Sequence, residues 1–141
     1  MRIFATLALL AVTLAACEST TSPESEQNTA SMASPVGAWQ LQAIELSSGE
    51  ALVAAPGQYT LELFEDGTSH ARVDCNLCNG TYVVDGSTIT FGLQACTLAA
   101  CPPESLFDDV VRAMNGSATF TRDGNSLSIA YAQGVLRYVG M

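Results

Sequence analysis

Cys75, Cys78, Cys96 and Cys101 are the densest set of reactive side chains in the sequence, spaced as C-x2-C and then C-x4-C. Paired thiolate knuckles are the donor set of a tetrahedral structural zinc site. The second knuckle is loose for a zinc ribbon. The same residues can instead close two disulfides, in any of three connectivities. Local pairing, Cys75 with Cys78 and Cys96 with Cys101, would close small strained loops. Dithiol redox chemistry at Cys75-x-x-Cys78 is a third reading, but the motif lacks the helix N-terminus that usually follows and depresses a thiol pKa. His70 is the single histidine, so a histidine triad or His-based metal site is incomplete. On an alternating strand it reads as a partly exposed residue. Glu62, Glu65, Asp66 and Asp74 could supply an acid–base pair, yet Asp66 belongs to a turn and Glu62 alternates toward water. Asn76 is suited to a side-chain hydrogen bond with the turn backbone. These residues assign no catalytic group, cofactor or metal.

Composition narrows the classes further. The 141 residues are 48% hydrophobic and 13% charged, too apolar for a disordered acidic chain and the size of one compact domain. Fourteen Asp and Glu face five basic residues, all Arg, for a net charge of -9. A chain so acidic cannot build the basic face that a phosphate backbone requires, which excludes nucleic acid as a partner.

The compartment is written in the first residues. Arg2 is followed by the apolar run Ile3–Val12, too short to span a bilayer and read as a secretory signal. Leu14-Ala15-Ala16-Cys17 resembles the bacterial lipobox, which implies cleavage before Cys17 and acylation of that cysteine. Several acyl chains on one residue anchor firmly. Glu18 rather than Asp follows, the pattern that in double-membrane bacteria sorts lipoproteins to an outer membrane, facing the periplasm; a plain cell-membrane anchor is the alternative. The segment up to Pro35 is rich in Ser, Thr, Glu and Ala and poor in large aliphatic residues, so it reads as a flexible tether. The expected organisation is therefore a signal peptide over 1–16, a lipidated cysteine and tether over 17–35, and a folded domain over 36–141. An exported domain sits where disulfides persist, which favours bridges over zinc at the four cysteines.

Past Pro35 turns recur about every ten residues. Alternating runs at Trp39–Ile44, Tyr59–Phe64, His70–Cys75, Thr81–Val84 and Thr88–Phe91 predict strands. So do Ala118–Thr121, Ser126–Tyr131 and Val135–Val139. Asp66-Gly67, Asp85-Gly86, Asp123-Gly124 and Gln133-Gly134 read as turns. The stripe Leu106, Phe107, Val110, Val111 and Met114 predicts one helix over 103–115, with Pro103 in its first turn and Asn115-Gly116 at its end. The expected fold is mainly β, a small antiparallel barrel-like meander of about eight strands with one α-helix, closed on itself to remove edges. Trp39, Phe64, Tyr82, Phe91, Phe107, Phe120, Tyr131 and Tyr138 are its expected core aromatics.

Four motifs occur in order along this stretch: Trp39-Gln40-Leu41; Thr60-Leu61-Glu62-Leu63-Phe64 with Asp66-Gly67; Cys75-Asn76 with Gly80-Thr81-Tyr82; and Thr97 with Ala100-Cys101. This order resembles the META (HslJ-like) domain. Asp74 stands where that pattern has Gly, and Ala99 where it has Met. The resemblance implies a small barrel-like fold with a helix, found on bacterial envelope lipoproteins and stress-linked membrane proteins, with no enzymatic activity. It also matches Cys75 and Cys101 to the family's usual cysteine pair, which leaves Cys78 with Cys96 as an extra pair. The Cys75–Cys101 bridge closes the longer loop and is expected to contribute more stability. The expected role is that of a non-catalytic envelope lipoprotein, held to a bilayer through Cys17 and structural or bound to an envelope protein. A barrel for a small apolar ligand is the alternative, and a thiol-redox protein or a metal protein with four cysteine ligands a more distant one.

Overall fold

The computed structural model describes residues 33–141. Ten strands and one helix follow in the order β1 Gly37–Leu46, β2 Ala51–Val53, β3 Tyr59–Leu63, β4 Thr68–Val73, β5 Asn76–Asp85, β6 Thr88–Phe91 and β7 Ala95–Cys96, then α1 Phe107–Ala113, β8 Gly116–Asp123, β9 Ser126–Tyr131 and β10 Gly134–Gly140. Eight strands form a closed antiparallel barrel in the order β1-β3-β4-β5-β6-β8-β9-β10, sealed by pairing of β10 with β1. β2 adds to β1 and β7 adds to β5. The chain is thus mainly β and built as the alternation predicts, with two short strands that the sequence pattern does not reveal.

The barrel forms because alternate residues of each strand are apolar and point inward. Trp39, Leu41, Leu61, Leu63, Val73, Ile89, Leu127, Ile129 and Leu136 are all buried. β1 breaks strict alternation. A register shift between Leu41 and Ala43 inserts an extra residue, so Ile44 turns inward although simple alternation from Trp39 would point it out. The same irregularity lets β1 leave β3, which it pairs from Gly37 to Gln40, and pair β2 from Ala43 to Glu45.

The helix is shorter than its stripe predicts. Pro102 and Pro103 form a turn, closed by the Ser105 amide on the Pro102 carbonyl at 3.0 Å, and helical geometry begins only at Phe107. Val110, Ala113 and Met114 are buried against the barrel, while Leu106, Phe107 and Val111 pack at the margin. The helix covers the barrel end where β3 begins and β4 ends. There the Leu106 amide donates to the Tyr59 hydroxyl at 3.0 Å.

Phe64 is not a core residue. β3 ends at Leu63, and Phe64 lies 37% exposed with its ring edge-on to His70 at a centroid separation of 5.0 Å. The Asp66-Gly67 turn that follows is set by Gly67 at φ 80° and by Asp66, whose Oδ1 accepts from the Thr68 amide and hydroxyl at 2.9 and 2.6 Å. Those bonds hold the Asp66 carboxyl below its ordinary value.

Candidate functional site

The cysteines gather at the barrel end covered by the helix. β4 and β5 are joined by a tight turn at Asp74 and Cys75, with Val73 opposite Asn76. Asp74 adopts φ 56°, the left-handed region that Gly enters freely and Asp tolerates. That geometry gives a physical reason for Gly at this position in the family pattern.

Cys75 is bonded to Cys101 and Cys78 to Cys96. Residues three apart along β5 and its leading turn face different ways, which is why Cys75 and Cys78 do not converge. Cys75 is exposed at the turn, whereas Cys78 points inward at 1% exposure. Cys78 sits opposite Ala71 on one side and Cys96 on the other, so its bridge fastens β7 to the barrel wall. With all four thiols bridged there is no thiolate set for zinc. Among the described residues no three His, Cys, Asp or Glu side chains gather as a metal site.

Asn76 organises the segment between the two bridges. It is buried at 2% exposure. Its Oδ1 accepts from the Thr97 hydroxyl at 2.9 Å and the Ala99 amide at 2.7 Å. Its Nδ2 donates to the Ala99 carbonyl at 3.1 Å and lies 3.4 and 3.2 Å from the sulfurs of Cys75 and Cys101. The Thr97 hydroxyl also accepts from the Leu77 amide at 3.0 Å. A structural role for Asn76 is thus in place, but apart from the Cys75 sulfur its partners lie more than twenty positions away, and none is the backbone of its own turn. The Cys-Asn and Thr…Cys motifs are two halves of one latch.

The Gly80-Thr81-Tyr82 motif has a similar local logic. A Cβ at position 80 would collide with the Gln94 amide, whose Oε1 stands 3.4 Å from the buried Ser69 hydroxyl. The Tyr82 hydroxyl donates to the Phe64 carbonyl at 2.6 Å, tying β5 to the Asp66-Gly67 turn. Burial raises the Tyr82 pKa, assisted by the carboxylates of Asp66 and Glu65.

The remaining candidates stay apart. His70 is exposed on the outer face of β4, opposite Glu62 on β3 and Asn79 on β5. Asp74 lies at the far end of β4 from Glu65 and Asp66, so it pairs with neither. Cys17 lies outside the described residues. At the barrel end away from the helix, a cleft of about 490 Å³ lies beside Ser34, Pro35, Asp66, Tyr82, Val84 and Phe120. The barrel interior itself is filled by the buried side chains of its strands.

Comparison with known proteins agrees with this architecture. The META domain pattern matches residues 30–140. No curated protein matches the chain significantly. Among solved structures, the NMR structure of a protein from Burkholderia xenovorans is similar, with 20% identity, a TM-score of 0.61, and coverage of 74% of this chain and 81% of that one. The crystal structure of a DUF4847 family protein from Bacteroides vulgatus is similar at 16% identity and a TM-score of 0.53, covering 74% of this chain and 92% of that one. At these identities the two structures speak to the fold alone. A family match over most of the sequence, with its Cys-Asn and Ala-Cys motifs joined by the Cys75–Cys101 bridge, shows that the chain belongs to the META domain family.

Proposed function

We propose that the chain is a non-catalytic lipoprotein of the bacterial cell envelope. Acylated Cys17 anchors it in the outer membrane, and its META domain stands in the periplasm in a structural or partner-binding role. The observation that carries this reading is Leu14-Ala15-Ala16-Cys17 behind an apolar signal and ahead of a polar tether. Two features of the domain support it. Paired disulfides suit an oxidising compartment, and META is not an enzyme family. The packed barrel interior counts against a ligand chamber of the lipocalin kind, since its volume is taken by Trp39, Leu61, Ile129 and their neighbours.

Metabolic labelling with an alkyne fatty acid tests the anchor. The wild-type chain takes up label and fractionates with outer membranes, while Cys17→Ser takes up none and remains as precursor or soluble material. Equal labelling of the variant overturns the assignment.

A further inference from the structure

We propose that Cys75–Cys101 is a thiol–disulfide exchange site, opened by a dithiol reductant while Cys78–Cys96 stays closed, and that its opening frees residues 101–106 from the barrel rim. The two bridges present different faces to an attacking thiolate. Cys101 and Cys96 are both partly buried, so the contrast lies in their partners: Cys75 is exposed in its turn, whereas Cys78 is 1% exposed and points into the barrel. Exchange requires a thiolate to reach one sulfur along the S–S axis, and the exposed Cys75 sulfur makes the outer bridge the one attacked first.

Groups beside the outer bridge also receive its products. Asn76 Nδ2 stands 3.2 Å from the Cys101 sulfur, where it can donate to a departing thiolate, and the Ala99 carbonyl oxygen stands 3.5 Å from the Cys75 sulfur, where it can accept from a thiol. The step is balanced by the dithiol alone. One of its thiolates attacks the Cys75 sulfur, the S–S bond breaks, and Cys101 leaves as a thiolate beside Asn76 and takes up a proton. The second reductant thiolate then attacks the mixed disulfide and releases Cys75. The reductant ends as a disulfide, oxidised by two electrons. Its two protons end on Cys75 and Cys101.

The freed segment is built to move locally. Pro102 and Pro103 have no amide to donate to the barrel. Clefts of about 320 and 290 Å³ flank the segment, one beside Asn76 and Phe107 and the other beside Tyr59 and Asp74. Upstream, Asn76 still holds Thr97 and Ala99, and Cys78–Cys96 still fastens β7. Reduction therefore loosens the rim between Cys101 and Leu106 and leaves the barrel closed.

Titration of the full chain in mild detergent with dithiothreitol, followed by alkylation and peptide mass mapping, tests the order. Cys75 and Cys101 become alkylated at a reductant concentration at least about tenfold below that needed for Cys78 and Cys96. At that concentration the amides of Ser105 and Leu106, bonded in the closed form to the Pro102 carbonyl and the Tyr59 hydroxyl, exchange hydrogen at least about tenfold faster, while those of β9 and β10 keep their protection. Joint or reversed reduction, unchanged exchange at Ser105 and Leu106, or loss of protection across β9 and β10 each overturns the proposal. The same titration on Cys17→Ser gives the same order, so it stands or falls separately from the anchor.

Discussion

The guanidinium carbon of Arg122 stands 5.0 Å from the centroid of the Trp39 ring, and the two side chains grip the same stretch of backbone. Trp39 Nε1 donates to the Pro35 carbonyl at 2.8 Å, while an Arg122 nitrogen donates to the carbonyls of Ser34 and Val36 at 2.7 and 3.1 Å. The segment that leads into the barrel is clamped where it meets β1. Arg122→Ala should cost about 1 kcal/mol, the size of a partly exposed cation–π contact with its hydrogen bonds. Amide exchange at Val36 and Gly37 should accelerate while β3 and β4 keep their protection. Arg122→Lys should recover only part, since an ammonium cannot bond two carbonyls while lying flat on the indole.

Asn76→Ala should be among the most damaging polar substitutions. It strands the Ala99 amide, the Thr97 hydroxyl and the Ala99 carbonyl together, and a cost of about 2–3 kcal/mol is expected in urea unfolding. A change below about 0.5 kcal/mol would show that the latch carries no stability.

The two disulfides should contribute more equally than loop length suggests. Their separations of 26 and 18 residues differ by only about 0.3 kcal/mol in loop-closure entropy. Cys78 is also a core residue, so Cys78→Ala with Cys96→Ala loses packing as well as the cross-link. Removing this pair should cost at least as much as removing Cys75 and Cys101. That reverses the ranking expected from loop length, and paired urea melts of the double variants decide it.

Val110→Asp places a charge where the helix meets the core, at 2% exposure, and should cost about 3 kcal/mol or more. Asp109→Asn removes an exposed pairing with Arg112 at 3.0 Å and should change stability by less than about 0.5 kcal/mol. Comparable melting temperatures for the two would show that α1 does not pack on the barrel.

Burial pushes the Tyr138 phenol far above its ordinary value, and burial also raises Tyr82 and Tyr131. A raised folded pKa means that the unfolded chain releases its proton first. Stability is therefore fully present below about pH 10 and declines as the pH rises beyond it, by up to about 1.4 kcal/mol per pH unit for each such phenol. Tyr138→Phe should flatten this alkaline decline while leaving the neutral side of the curve unchanged in slope. Thermal melts between pH 8 and 11 measure it.

The strand pattern is readable because period-two runs and Asp-Gly turns are local signals. β2 and β7, three and two residues long, are too short to show a period and exist only through pairing with distant strands. The irregularity after Leu41 has no mark in the alternation, so the inward turn of Ile44 is invisible there. Pro103 suits a first helical turn by its fixed φ, but Pro102 beside it is held in a turn by Ser105, and the helix starts later. At the site, Cys75 and Asn76 stand out by type, and the matching of Cys75 with Cys101 comes from the resemblance rather than from spacing. The reach of Asn76 to Thr97 and Ala99 stays hidden, because a side-chain bond across twenty residues leaves no periodic trace. The Arg122–Trp39 clamp is hidden for the same reason.

The pairing of β1 with β10 makes the first and last strands of the domain neighbours. No shortened chain ending before Gly134 can complete the ring. A chain emerging from its N-terminus must carry β1 with an unsatisfied edge until β10, the last strand of the domain, has been delivered. Folding is then limited by contacts of the greatest sequence span, a topology that slows the final step. Until that step, the open edges of β1 and β9 offer the same backbone groups to any passing strand, so protection from self-association arrives only with the final seven-residue strand.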